Sequence, residues 1–343
     1  MKKYIVSDDI KKILIIHLRR IGDILLCTPS IREIKAHYPN SEITFLTEEP
    51  FYDILSGNPY LDNIILLNEN EKKGFKEYHE FLKKIRKHKY DIVFDFYGNP
   101  RSSLITYISG AKYRVGYDYR IRKYFYNINI PIIDEPRYVV QVKFDLLRAI
   151  GINPVNEKMD IFIPQETREK VDEYLRNEGV NDYHKLIGLS PASRRKSKRW
   201  LPERFAALAD KLIVSGNKVI FVWGYDEKEY IDSIVKLMKN KPIISFKPSM
   251  KESAAILEKC QVVVTNCGGS KHLAVSVETP TVVLCEPSEV ISWNPITKTN
   301  LTIYKDVPCA GCSKSKDCLH MTCMKLVEVD EVETAVNKMI DKK

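Results

Sequence analysis

Two carboxylate- and cation-bearing loops stand out as chemistry in the sequence. Gly22-Asp23 follows the apolar run KILIIHL at residues 12–18 and opens a segment of helical period. An Asp at the end of a strand and the start of a helix can act as general base toward a hydroxyl, which a sugar acceptor needs to become nucleophilic. It can equally be an acidic residue that complements the helix dipole. The second loop runs from Ser190 to Pro202 and contains Ser193, Arg194, Arg195, Lys196, Lys198 and Arg199, five basic residues in six positions from 194 to 199. Fixed positive charge beside a helix start, with backbone N–H groups to spare, suits a pyrophosphate and would stabilise a departing diphosphate. The plainer alternative is a solvated basic loop or a nucleic-acid patch. Trp200 and Pro202 indicate a packed turn instead, and no nucleic-acid motif accompanies the loop.

Two further loops carry weaker signals. In Asn266-Cys267-Gly268-Gly269-Ser270-Lys271-His272 the paired glycines lie between a strand and a helix, where they allow close approach of a ligand to the backbone. Lys271 would add a cation there and His272 a neutral donor. After the strand DIVFDF (91–96), Arg101 and Ser102 either hold an anionic or hydroxylated acceptor or form a helix start with a surface arginine. Cys309, Cys312, Cys318 and Cys323 crowd one short segment. Four soft ligands suit a tetrahedral structural site for zinc or a single iron, with a disulfide pair as the rival. No D-x-D triplet occurs in the sequence, which agrees with diphosphate charge being met by Lys198 and its neighbours, with no cofactor for catalysis.

These loops need strands to hold them. Strands at 12–18, 42–47, 63–67 and 91–96 alternate with helices at 24–37 and 76–88, which predicts a doubly wound parallel sheet. A second series follows: strands at 185–190, 218–223, 261–265 and 281–285, with helices at 166–178, 202–216, 226–239, 250–259 and 269–277. Gly151, Asn153, Pro154 and Pro164 interrupt the pattern between the two series. The expectation is an α/β protein of two Rossmann-like domains, 1–160 and 161–327, facing a central cleft. Residues 328–343 form a last helix packing back on the first domain. At 343 residues the chain has room for both.

Taken together the loops resemble those of the ADP-heptose:lipopolysaccharide heptosyltransferases, inverting enzymes of glycosyltransferase family 9 with the GT-B fold. The resemblance runs from about Lys12 to Met339. It rests on Gly22-Asp23 with Pro29, on Pro191, Ser193, Lys198, Arg199, Trp200 and Pro202, on Asn266 and Gly269 to Ala274, and on Pro287, Trp293 and Pro295. It implies metal-independent transfer of a heptose-like sugar from a nucleotide-diphosphate donor, ADP-heptose, to a lipopolysaccharide-core or related saccharide hydroxyl. By the same resemblance Asp23 is the catalytic base, and Ser193, Lys198, Arg199, Asn266, Gly268, Gly269, Ser270, Lys271 and His272 bind the donor. Gly22, Arg101 and Ser102 are assigned to the acceptor. The family's usual Asp-Ser-Gly is here Cys267-Gly268-Gly269, and Ala192 and Glu286 stand where Gly is frequent. The related autotransporter heptosyltransferases are associated with bound iron, which makes a protein acceptor the alternative to a lipid saccharide. Outside this family, the rivals are a non-catalytic nucleotide-sugar or nucleic-acid binding protein and a GT-B epimerase.

Composition agrees with these expectations. A formal net charge of +9 calls for anionic partners such as nucleotide diphosphates, phosphorylated saccharides or an acidic membrane surface. Hydrophobic residues at 44% exclude a disordered chain, and no apolar run reaches membrane-spanning length. The start MKKYIVSDDIKK lacks the apolar core of a secretion signal, so a cytoplasmic protein is expected, with peripheral contact to the membrane's cytoplasmic face.

Overall fold

The computed structural model describes residues 4–181, 185–224, 226–287, 290–295, 297–309, 318 and 320–340. The chain forms two compact α/β units, Met1–Phe162 and Ile163–Lys343.

The first unit is built on six strands: β1 (Lys12–Ile16), β2 (Glu42–Glu48), β3 (Asn63–Leu67), β4 (Ile92–Asp95), β5 (Tyr113–Asp118) and β6 (Ile128–Pro131). They pair in parallel in the order β3-β2-β1-β4-β5-β6. Ile13 to Ile16 have no exposed surface, as an apolar run covered on both faces requires. The expected helix at 24–37 starts earlier and is broken into Ile21–Leu25 and Thr28–His37, with Pro29 in the first turn of the second piece. Proline lacks the N–H that a continuous helix would use there but fits a helix start. In β5, a Cβ on Gly116 would lie 2.5 Å from the Tyr126 ring. Glycine thus makes room for Tyr126, whose hydroxyl donates to the buried Asp95 carboxylate at 2.7 Å.

The second unit repeats the plan with β7 (Leu186–Ser190), β8 (Lys218–Phe221), β9 (Ile243–Ile244), β10 (Val262–Asn266), β11 (Thr281–Leu284) and β12 (Asn300–Ile303). Their order is β12-β11-β10-β7-β8-β9, again parallel throughout. The helix Val329–Ile340 was expected to turn back on the first domain, but it belongs to this unit. Its Val332, Ala335, Val336 and Met339 recur at helical spacing and are buried in the same cluster as Leu208, Leu212, Val264 and Leu284. Lys211 ties it down further, pairing with Asp330 at 2.7 Å and Glu333 at 2.8 Å. Among the described residues no helix is long and apolar enough to cross a membrane.

Candidate active site

Each sheet reverses its strand order once, between β1 and β4 in the first unit and between β7 and β10 in the second. At such a point the following loops diverge and leave a crevice at the carboxyl ends of the strands, where open α/β sheets bind ligands. All four loops singled out in the sequence follow these four strands.

In the second unit the loops after β7 and β10 are fastened to each other. The Asn266 amide, fully buried at the end of β10, donates to the Pro191 carbonyl and accepts from the Trp200 backbone N–H at 2.9 Å. These two bonds fasten the ends of the two loops to each other at the edge of the expected donor site. Trp200 is fully buried, its ring 5.0 Å from Phe205 and its Nε1 donating to the Val327 carbonyl at 3.0 Å. Losing such a side chain costs about 3–5 kcal/mol, so this end of the basic loop is firmly anchored. Within the loop, Arg199 Nε donates to the Ser193 carbonyl at 2.7 Å, and its guanidinium lies 4.4 Å from the Tyr230 ring centre. Ser193 is itself buried. Lys198 turns inward, at the end of a short 3-10 helix (Lys196–Lys198), and forms an ion pair with Glu286 beyond β11. The two side chains are 15% and 5% exposed, so this cation is not part of a solvated surface patch.

The helix Gly269–Ser276 begins just after β10. Gly268 is in extended conformation, and a Cβ there would meet nothing nearer than the Asn266 carbonyl at 3.8 Å. Gly268, Gly269 and Ser270 are half-buried. The first-turn N–H groups of a helix have no partners within it and favour an anion. The helical phase turns both Lys271 and His272 inward. Lys271 has no exposed surface and donates to the Trp293 carbonyl at 2.7 Å and Asn294 Oδ1 at 3.0 Å, with Cys267 Sγ at 3.5 Å. Burial, reinforced by the Lys271 charge, holds His272 well below the usual imidazole range, so it is neutral.

In the first unit Asp23 sits half-buried in the helix Ile21–Leu25, directly after β1. The helix is entered through Arg20, whose φ of 68° is unusual for a residue with a side chain. Gly22 is buried, which lets the turn close tightly. Cys27 Sγ donates to the Asp23 carbonyl at 3.2 Å. Beneath lies Lys143, buried, with its ammonium 5.6 Å from the Phe96 ring centre. Burial, and then the Lys143 charge, depress the His17 imidazole well below its usual range. Lys143 had no sequence signal, because it lies in a helix (Val139–Arg148) far along the chain.

The loop after β4 resolves its two alternatives for Ser102. Asn99 and Ser102 form a capping box at the start of the helix Pro100–Ile108: Asn99 Oδ1 accepts from the Ser102 N–H at 2.7 Å, and Ser102 Oγ accepts from the Asn99 N–H at 3.0 Å. Ser102 is fully buried, so its hydroxyl belongs to the helix start and not to an acceptor. Arg101 extends toward the Lys72 carbonyl at 3.4 Å and the Tyr78 ring. Ser102→Ala is expected to lower stability by about 0.5–1 kcal/mol in urea denaturation and to leave the acceptor KM unchanged.

Of the cysteine cluster, Cys312 lies outside the described residues. Cys309 is exposed, Cys318 Sγ lies 3.6 Å from His320 Nε2, and Cys323 is buried in the hydrophobic cluster of the second unit. Among the described residues no three His, Cys, Asp or Glu side chains are gathered to hold a metal ion.

Residues 78–322 match the sequence profile described as Glycosyltransferase family 9 (heptosyltransferase). The chain is 23% identical over 308 residues to lipopolysaccharide heptosyltransferase 3 of Escherichia coli, covering 85% of this chain and 89% of that one. Its fold is that of the glycosyl transferase family 9 protein of Veillonella parvula DSM 2008, with a TM-score of 0.86, 24% identity and 99% of each chain covered. The E. coli heptosyltransferase WaaC, solved with ADP-2-deoxy-2-fluoro heptose, superposes with a TM-score of 0.72 at 18% identity, covering 95% of this chain and 99% of that one. With two doubly wound sheets whose loops cluster at the points of strand reversal, and with a family match spanning most of its length, the chain belongs to glycosyltransferase family 9 and is a heptosyltransferase-type enzyme.

Proposed function

We propose that this enzyme moves a heptose from ADP-heptose to a hydroxyl of a lipid-anchored core saccharide, by metal-independent displacement with inversion. The reading is carried by the second unit's strand reversal, where an inward-turned Lys198 and a helix start at Gly269 offer a cation and backbone N–H groups to a diphosphate. In this reading Lys198 exchanges Glu286 for the diphosphate, and the N–H groups at Gly269 and Ser270 hold its remaining oxygens. Arg199 and Asn266 keep the loops in place. Asp23 in the first unit takes the acceptor proton, which makes the hydroxyl nucleophilic at the moment the sugar leaves ADP. The test is to incubate the enzyme with ADP-heptose and a heptose-free core acceptor, with and without EDTA. ADP release matched by acceptor glycosylation in both is expected, and a rate abolished by EDTA would refute metal independence.

A surface on the first unit supports a lipid-anchored acceptor over a protein one. The short 3-10 helix Arg120–Phe125 exposes Ile121 and Tyr124, each 72% exposed, among Arg120, Arg122 and Lys123. Strand pairing of Asp118 with Pro131 brings the exposed Ile132 and Ile133 alongside. Arg122 donates to the Gly98 carbonyl, which links this surface to the loop after β4. Apolar side chains interleaved with cations suit the interface of an anionic membrane. Ile121→Asp with Tyr124→Asp is expected to weaken co-sedimentation with phosphatidylglycerol vesicles at least about tenfold, leaving transfer to a water-soluble acceptor intact. Equal sedimentation of variant and parent would remove this support.

A further inference from the structure

Cys267 and Cys285 are the first residues beyond β10 and β11, two adjacent parallel strands paired with Asn266 opposite Leu284. The Cys267 N–H donates to the Leu284 carbonyl at 3.0 Å, so the register continues to this pair. Neighbouring strands lie about 4.8 Å apart, inside the Cα separation a disulfide needs. The Cys285 thiol is turned toward the neighbouring carboxylate, its Sγ 3.9 Å from Glu286 Oε2. Two other groups complete a ring around the pair. Lys271 Nζ lies 3.5 Å from Cys267 Sγ and donates to Asn294 Oδ1, while Asn294 Nδ2 approaches Cys285 Sγ at 4.0 Å.

The two sulfurs are not equivalent. The neighbouring Cys285 thiol, and next the Lys271 charge, favour the Cys267 thiolate over the cost of burial, while Cys285 is pushed up and keeps its proton. Cys267 is half-buried and so within reach of solvent, whereas Cys285 is 1% exposed. That is the asymmetry of an attacking and a resolving thiol. Cys27 and Cys260 lack it: both are fully buried, Cys27 is pushed up to about 11 by burial, and Cys260 Sγ donates to the Ile256 carbonyl at 3.3 Å.

We propose that Cys267 and Cys285 are a redox-active dithiol beside the donor loop, oxidised to an intrachain disulfide by a low-molecular-weight disulfide of the glutathione class. The Cys267 thiolate attacks one sulfur of the oxidant, and its S–S bond breaks to expel one thiolate. Cys285 then attacks the mixed disulfide at Cys267, forms the intrachain bond and expels the second thiolate, which takes up the Cys285 proton. The dithiol loses two electrons and the oxidant is reduced to one thiol and one thiolate, the latter taking its proton from water. The new bond draws the Cys267 sulfur away from Lys271 and joins the loop carrying Gly268 and Gly269 to the one carrying Glu286, the partner of Lys198. Weaker ADP binding follows, a consequence that rests on the donor site proposed above.

The test treats the reduced full-length enzyme with glutathione disulfide, maps the cysteines by differential alkylation and peptide mass spectrometry, and measures ADP binding by calorimetry. A peptide cross-linked between Cys267 and Cys285 is expected, with ADP affinity lowered several-fold and restored by dithiothreitol. Cys285→Ala should stop at a stable glutathione adduct on Cys267. In the untreated enzyme, iodoacetamide should modify Cys267 faster than the exposed Cys309 at neutral pH. Adducts confined to the segment 309–323, or alkylation of Cys267 slower than that of Cys309, would overturn the proposal. A reduced enzyme that binds no ADP would instead sink the donor site, and the cross-linked peptide would still decide the dithiol.

Discussion

Asp23→Asn is expected to lower the transfer rate by about 10²–10⁴ while ADP-heptose affinity stays within about twofold of the parent, by single-turnover transfer and calorimetry. Asparagine keeps the shape of the side chain in the first turn of Ile21–Leu25 but cannot accept the acceptor proton. The competing role for Asp23, complementing the helix dipole, makes a different prediction. It would cost about 0.3–1 kcal/mol of stability and leave the chemistry alone. Folding and transfer measured on the same variant therefore separate the two. A base can act here only if it is held in place, and the turn through Arg20, the buried Gly22 and the Cys27 contact to the Asp23 carbonyl provide that.

The second large effect concerns Lys198 and its partner. Lys198→Ala removes the cation proposed to receive the diphosphate and also takes the ion-pair partner from Glu286, which is buried. Breaking one side of a buried pair typically costs about 3–5 kcal/mol, so ADP affinity and stability should both fall. Lys198→Ala combined with Glu286→Gln removes the buried charge as well. It is expected to recover most of the stability in urea denaturation and none of the ADP affinity. Glu286→Gln alone should raise ADP affinity several-fold, because Lys198 no longer has to leave a carboxylate to reach the diphosphate. Recovery of ADP affinity in the double variant would mean that Lys198 serves only the fold.

The elements with near-continuous apolar runs, such as β1, β4, β10 and β11, are plain in the sequence because both faces of each strand are covered. β5, β6, β9 and β12 are not. β6, β9 and β12 are edge strands of two to four residues, and β6 ends in proline, so too few side chains repeat to mark a period. β5 is longer and interior, but Arg114, Gly116 and Asp118 interrupt its apolar run. The loops that matter were visible as glycines and cations at strand ends, but not the direction each side chain takes. Lys271 and His272 face inward because the helix begins at Gly269, a phase that a shift of one residue would change. Glu286 meets Lys198 across a separation in sequence that no local pattern reports. The capping role of Ser102, by contrast, was readable: Asn99 and Ser102 stand at the spacing of a capping box before an apolar helix.

The most direct test of the whole account is a product measurement with the parent enzyme, ADP-heptose and a heptose-free core acceptor. ADP release and acceptor mass are followed together, and the product's anomeric configuration is read by NMR. One added heptose is expected for each ADP released, linked with the anomeric configuration opposite to that of the donor. ADP release with no gain in acceptor mass, or a product that retains the donor's configuration, would contradict it.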